Sequence, residues 1–253
     1  MPRGDEEGDN FAMRCAIVIP ARMASTRFPG KPLVDLGGKP MVQWVVEAAR
    51  ASGIAERVLV ATPDDEILAA CDAFGAEAMR TRLDHPSGTD RLAEVAESVD
   101  ADVYVNVQGD EPLVPPETIR ACAEPLLRDP AVQMGSVCAP CPEEEWDNPA
   151  VVKVVTAING DALYFSRWAI PFPRSPREVK KHLGLYAFRR DVLRQFSTWP
   201  MSPLEKAESL EQLRFLENGI RIRMSEGQGS AVAVDTPEQA EQVRILIKAR
   251  NAP

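Results

Sequence analysis

From Cys15 to about residue 127 the chain alternates short apolar runs with amphipathic stretches, and this alternation constrains the fold more than any other feature. CAIVIPA, RVLVAT, EAMRT and VYVNVQ read as strands, while the segments near 40–52, 64–74, 88–98 and 116–127 read as helices. Strands this apolar require cover on both faces, so the fold class is α/β: an open, mostly parallel, Rossmann-like sheet with helices on both faces. The first helix shows the pattern, with Met41, Trp44, Val45, Ala48 and Ala49 at helical spacing, Pro40 at its opening turn and Gly53 at its exit.

The second half breaks the alternation. VVKVVTAI and ALYFSR flank Asn159-Gly160, a dipeptide suited to a two-residue hairpin turn, and HLGLYAFR reads as a further strand. Residues 203–218 read as one helix, and Pro237 opens a final one. The expected organisation is a loose tail over 1–14, with Met13 as an alternative start, then one domain over 15–253. An antiparallel subregion around 131–200 is set into that domain.

Charge and composition remove several function classes. A net charge of -9 with no Lys/Arg stripe argues against nucleic-acid binding, which needs cations to displace counterions from phosphates. The chain has no run of about 18 apolar residues and no apolar core of a secretion signal, so no membrane span is expected and the expected compartment is the cytoplasm. Five cysteines, an odd number in a chain of this size, are expected as reduced thiols; Cys138 and Cys141 have no second pair to complete a zinc site.

Chemistry concentrates at the ends of the apolar runs. PARMASTRFPGKPL, residues 20–33, carries Arg22, Arg27 and Lys31 and no acid, a local reversal of sign that suits an anionic ligand outside the carboxyl end of the first strand. It is neither a P-loop nor a dinucleotide fingerprint, because the required glycines are missing. VYVNVQGDEP sets Gln108, Asp110 and Glu111 beyond the fourth strand. A cation held there would need a second carboxylate, for which Asp235 in AVAVDTPEQ is the candidate. Asp235 also fits a helix cap. Ser87 and Gly88 in HPSGTDR stand at a helix start, where backbone N–H groups can meet a ligand or simply be capped. His182 and Tyr186 share one strand face, and Arg167 can grip a carboxylate or form an ordinary ion pair.

Taken together, PARxxSTRxPGKPL, TRxDHPSGTDR, VNVQGDEP, VVKVV with ALYFSR, HLGLYAFR, SPLExxExLEQLRxLxxG and VDTPE resemble the 3-deoxy-manno-octulosonate cytidylyltransferases, over about residues 15–248. The resemblance implies a nucleotide-diphospho-sugar transferase type of fold. It also implies transfer of CMP from CTP to the anomeric hydroxyl of 3-deoxy-D-manno-octulosonate (Kdo) with release of pyrophosphate, for lipopolysaccharide biosynthesis. A magnesium requirement and a homodimer are implied as well. Carried over, Arg22, Arg27 and Lys31 hold the CTP phosphates, and Asp110 and Asp235 coordinate magnesium. Arg82, Ser87 and Gly88 approach the cytidine, and Gln108, Arg167, His182, Tyr186, Glu211 and Gln212 surround the sugar acid. The sequence departs from the pattern at Ser230 to Ala233, where a glycine nearer the aspartate is expected, and at Gln239, where an acid is usual. An acylneuraminate cytidylyltransferase is the nearest alternative, with Pro32 favouring the Kdo branch; a nucleotide-binding module without turnover is the other.

Overall fold

The computed structural model describes residues 13–25, 27–229 and 232–250. Four strand and helix pairs form the first half: β1 (Cys15–Pro20), α1 (Met41–Ala51), β2 (Arg57–Thr62), α2 (Asp65–Ala73), β3 (Glu77–Arg80), α3 (Gly88–Ser98), β4 (Val103–Asn106) and α4 (Pro116–Arg128). All pairings among β1 to β4 are parallel, in the order β3-β2-β1-β4. The second half adds β5 (Met134–Pro140), β6 (Lys153–Thr156), β7 (Ala162–Ser166), β8 (Lys180–Arg189), α5 (Arg190–Phe196), α6 (Pro203–Glu208), α7 (Gln212–Glu217), β9 (Ile222–Glu226) and α8 (Pro237–Arg250). The full order is β3-β2-β1-β4-β8-β5-β9, with β8 antiparallel to both β4 and β5 and the hairpin β6–β7 attached through β8.

The alternation along β1 explains the layers. Ile17 and Ile19 point to one face, where they join Val42, Val45 and Val46 of α1 and Ile119 and Cys122 of α4. Ala16 and Val18 point to the other, with Leu92 and Val95 of α3 and Phe196 of α5. A third cluster matters for function: Val234, Ala240, Val243 and Ile247 pack on Leu36 and Met41, which lays the start of α8 against the loop after β1.

The structure revises three local expectations. The hairpin closes on Ala157 N–H donating to the Asp161 carbonyl (2.8 Å), so its loop is three residues, Ile158 to Gly160, with Gly160 at φ 86. β5 and β9, unmarked by sequence pattern, complete the sheet. A Cβ on Gly135 of β5 would lie 2.4 Å from the Cys122 carbonyl oxygen, so the glycine that hides this strand from pattern reading admits α4 against it. The helix expected over 203–218 is broken into α6 and α7 at Ser209, which adopts φ 52, ψ 50. Arg167 accounts for the break: its Nε donates to the Glu208 carbonyl (2.7 Å) and Nη2 to the Ser209 carbonyl (3.1 Å), oxygens that a continuous helix uses in its own ladder. Residues 1–12 of the expected tail, and Ser230 and Ala231 of the unusual segment, lie outside the described residues. From Arg14 the chain is anchored, its backbone N–H donating to Asp102 (2.8 Å).

Candidate active site

Strand order changes direction between β1 and β4, and in open α/β sheets the carboxyl edge at such a point is where ligands bind. The loops after β1 and β4 meet there around a cleft of about 790 Å³ lined by Arg22, Arg27, Lys31, Ser87, Gly88, Gln108, Asp110 and Asp235. The two loops touch closely: a Cβ on Gly109 would lie 2.9 Å from the Pro20 carbonyl oxygen, which only glycine permits without displacement.

Lys31 is the hub. Gly30, at φ 73, turns the chain into a 3-10 turn over Lys31–Leu33, and the Lys31 ammonium then donates to Asp110 Oδ2 (2.9 Å), Asp235 Oδ1 (3.0 Å) and the Val234 carbonyl (3.2 Å). Burial alone would lower its pKa; Asp110 and then Asp235 outweigh that, and the net shift is upward. Arg27 Nη2 reaches the other oxygen of Asp235 at 3.0 Å. Two carboxylates 125 positions apart in sequence thus share one ammonium. The Val234 N–H donating to the Asp110 carbonyl (2.8 Å) ties the two segments together. Asp235 does not cap α8 with its side chain. Thr236 Oγ1 accepts from the Gln239 N–H (3.4 Å), while Gln239 Oε1 accepts from the Asp235 and Thr236 N–H groups (2.7 and 3.0 Å). Gln239, the residue that departs from the expected acid, performs the reciprocal half of a capping box and leaves the Asp235 carboxylate free to face Lys31.

At the opening of α3, Ser87 Oγ accepts from the Asp90 N–H (3.2 Å), and Gly88 packs against Pro20 on the cleft wall. Arg82 is 69% exposed, with its backbone N–H donating to Glu94 Oε2 (3.0 Å) and its guanidinium 4.0 Å from the same carboxylate, and it is not among the residues lining this cleft. Arg91 and His85, not anticipated as site residues, line the cleft instead.

A second cleft of about 380 Å³ is lined by Glu111, Lys181, His182, Tyr186, Gln212 and Ala233, among others. It adjoins the first through consecutive residues, Asp110 with Glu111 and Ala233 with Val234-Asp235. Burial holds the His182 imidazole down at about 3, hence neutral, with Nε2 2.9 Å from Ser136 Oγ. Tyr186, raised by burial and by Glu211, donates to Gln212 Oε1 (3.2 Å), and Gln212 Nε2 is buried without a partner among the described residues. Burial, then Asp110, raises Glu111 to about 7. Glu211 is raised by burial; it accepts from Thr89 and so ties α7 to the opening of α3. Gln108 bridges the clefts, packing beside Gly184. Arg167 lines neither. Besides the two carbonyls above, it donates to the Pro149 carbonyl (2.8 Å), so the structure engages its guanidinium in fixing the α6–α7 break that presents Glu211 and Gln212.

No cluster of three or more His, Cys, Asp or Glu side chains forms a ready metal cage among the described residues. The donor set nevertheless fits magnesium, which takes one or two carboxylates and completes its shell with water and substrate phosphate oxygens. Asp110 and Asp235 converge on one point and are 32% and 31% exposed, open to both.

The sequence profile described as Cytidylyltransferase matches residues 16–222. The 3-deoxy-manno-octulosonate cytidylyltransferase of Escherichia coli is 48% identical over 237 residues, covering 92% of this chain and 96% of that one. The chain belongs to the 3-deoxy-manno-octulosonate cytidylyltransferase family. The enzyme of that name from Acidobacterium capsulatum is 49% identical over 236 residues, with coverage of 92% and 96%. A solved structure of CMP:2-keto-3-deoxy-manno-octonic acid synthetase complexed with CTP superposes with a TM-score of 0.91 at 46% identity, covering 94% of this chain and 99% of that one.

Proposed function

We propose that this cytidylyltransferase moves CMP from CTP to the anomeric hydroxyl of Kdo, forming CMP-Kdo for lipopolysaccharide biosynthesis. The observation that carries the reading is the meeting of Lys31, Asp110 and Asp235 where the two clefts join. The CTP triphosphate belongs in the first cleft, where Arg22, Arg27 and Lys31 neutralise it, and the sugar acid in the second, among His182, Tyr186 and Gln212. The sugar hydroxyl attacks the α-phosphorus in line. A bond forms between that phosphorus and the sugar oxygen as the O–H bond breaks and gives its proton to water, and the bond from that phosphorus to the oxygen bridging to the β-phosphate breaks, its electron pair leaving with pyrophosphate. Such a transfer depends on positioning and charge stabilisation more than on a protein nucleophile. Asp110 and Asp235 would hold magnesium, which supplies charge neutralisation at the phosphates and acidifies a bound hydroxyl. Lys31 stabilises the negative charge gathering on the phosphates as pyrophosphate departs. Neutral His182 can donate or accept toward sugar hydroxyls without adding charge.

No helix among the described residues is long and apolar enough to cross a membrane; a cytoplasmic location is part of the proposed reading. A homodimer is supported by large apolar side chains left exposed on and beside the β6–β7 hairpin: Ile158, Leu163, Trp168 and Phe172. The deciding experiment is a coupled pyrophosphate assay that crosses four nucleoside triphosphates with Kdo and N-acetylneuraminate in magnesium. Release with CTP and Kdo above all other pairs is expected. Preference for N-acetylneuraminate, or CTP binding without any CMP-sugar product, would overturn the assignment.

A further inference from the structure

The loop after β1 carries its three cations on backbone that has already left the sheet. Ala21 N–H makes the last rung of the parallel β1–β2 ladder, donating to the Ala61 carbonyl (3.0 Å). Rungs recur at every second residue, so the next would join the Met23 N–H to the Pro63 carbonyl. That carbonyl accepts from Arg80 Nη1 instead (3.0 Å), and the Met23 N–H donates to Asp64 Oδ2 at 2.7 Å. The Met23 carbonyl in turn accepts from the Gly30 N–H (3.0 Å), one residue before Lys31. A single carboxylate thus stands at the root of the contacts that bring the two ends of the basic loop together.

Asp64 makes this contact in place of a nearer one. It is the N-cap residue of α2, a position where an aspartate side chain ordinarily accepts from an N–H of the first turn, and it makes no such bond. Its own N–H donates to Thr62 Oγ1 (3.1 Å) and its carbonyl accepts from the Leu68 N–H (3.2 Å). The backbone of the cap is therefore fixed while its side chain turns across to the neighbouring loop. An N–H bound to a carboxylate is held more strongly than one bound to a neutral carbonyl, so the missing rung is replaced by a firmer one. Arg22, which lines the nucleotide cleft, lies between the two tethered amides of Ala21 and Met23. Asp64 also lies among the cations of the cleft: burial and then Arg22 lower the pKa of Arg91, and Glu94 and then Asp64 oppose them.

We propose that Asp64 is a positioning residue for nucleotide binding, which pins the Met23 peptide and so presents Arg22, and through Gly30 also Lys31, to the triphosphate. The inference rests on the reading of the first cleft as a CTP site. What Asp64 supplies is preorganisation. A loop already held in its binding arrangement spares the nucleotide the work of ordering it. If its release leaves that arrangement populated about one-tenth of the time, the apparent Kd rises about tenfold.

Hydrogen–deuterium exchange of the nucleotide-free protein, joined to calorimetric CTP binding and steady-state kinetics in magnesium, tests it. The wild-type Met23 amide, outside any helix or strand, should exchange at least about tenfold more slowly than an unstructured amide. Free exchange there overturns the inference even if no variant folds. Asp64→Ala should speed exchange in the loop after β1 and leave α2 protected. It should also raise Kd and KM for CTP about tenfold while KM for Kdo stays unchanged. Asp64→Asn keeps an oxygen that can accept from Met23, and should restore loop protection and bring CTP affinity to within about threefold of wild type. Fraying of α2 with the loop unmoved would make Asp64 an ordinary cap, and equal rises in KM for CTP and Kdo would make its role one of general stability; either result overturns the inference. So does an asparagine variant as impaired as the alanine one, which would assign the effect to charge alone. Protein that shows the expected pattern but forms no CMP-Kdo overturns the functional reading and leaves the assignment of Asp64 standing.

Discussion

Replacing Lys31 by Met removes the ammonium that Asp110 and Asp235 share while keeping most of the side chain's apolar length. Lys31 is 16% exposed and its partners 32% and 31%, so water replaces part of what the carboxylates lose. A charge-assisted hydrogen bond contributes about 1.5–3 kcal/mol, and exposed ion pairs about 1 kcal/mol or less; two bonds with partial rehydration amount to about 2 kcal/mol. In a chain of this size that lowers Tm by about 4–8 °C. The substitution also leaves Asp110 without its ammonium and Asp235 with only the exposed Arg27 guanidinium to balance it. Magnesium in nucleotide-free buffer should therefore raise the Tm of Lys31→Met more than that of the wild type, whose ammonium already satisfies the pair. The rate suffers for a separate reason, because loss of a charge-stabilising donor at the phosphates lowers kcat about 10²–10³-fold. Scanning fluorimetry over a magnesium titration, together with pyrophosphate release at saturating CTP, reads both effects. A variant that melts at the wild-type temperature and ignores magnesium would refute the shared-cation argument.

Three further outcomes follow from the same geometry. Gln239→Ala removes the acceptor of the Asp235 and Thr236 N–H groups; it should cost about 1 kcal/mol, seen as a Tm lowered by about 2–4 °C, and an unchanged melt would discount the cap. Gly109→Ala puts a methyl group 2.9 Å from the Pro20 carbonyl oxygen and forces the β1 and β4 loops apart. Its kcat/KM should fall about 10²-fold, since small misplacements at the reacting centre are costly, and near-normal activity would show that the loops tolerate separation. His182 titrates at about 3 in the folded chain against 6.5 when free. As pH falls below about 6.5 the unfolded chain takes up the proton first, so stability declines through that window and is fully retained only above it. His182→Gln should flatten that portion of the Tm against pH profile; superimposable slopes would contradict the burial argument.

Much of the molecule was written locally. β1, β2 and β4 and the helices of the first half were legible because a strand covered on both faces is largely apolar and a helix on a sheet must be apolar along one stripe; β3, an edge strand with no buried residue, was legible from its place in the alternation. The cationic loop was legible because three basic residues without an acid stand out against a chain of net charge -9. β5, β9 and the break at Ser209 were not. Gly135 is required by the closeness of α4, and the break is held by Arg167, 41 and 42 residues away in sequence from the carbonyls it grips.

The site divides in the same way. Sequence by itself supplied the chemical parts, a basic turn after β1, a carboxylate beyond β4 and a second one at Asp235; it read Asp235 as the end of a strand, whereas residues 232–234 before it form no strand. Only the tertiary structure decided their roles. It brought Asp235 to Lys31 by packing α8 on Leu36 and Met41, and it passed the capping of α8 to Thr236 and Gln239. It also turned Arg82 outward and Arg91 into the cleft. The reason is physical: periodicity reports which face of an element is apolar, whereas the partner of a charged group depends on which distant segments the core draws together.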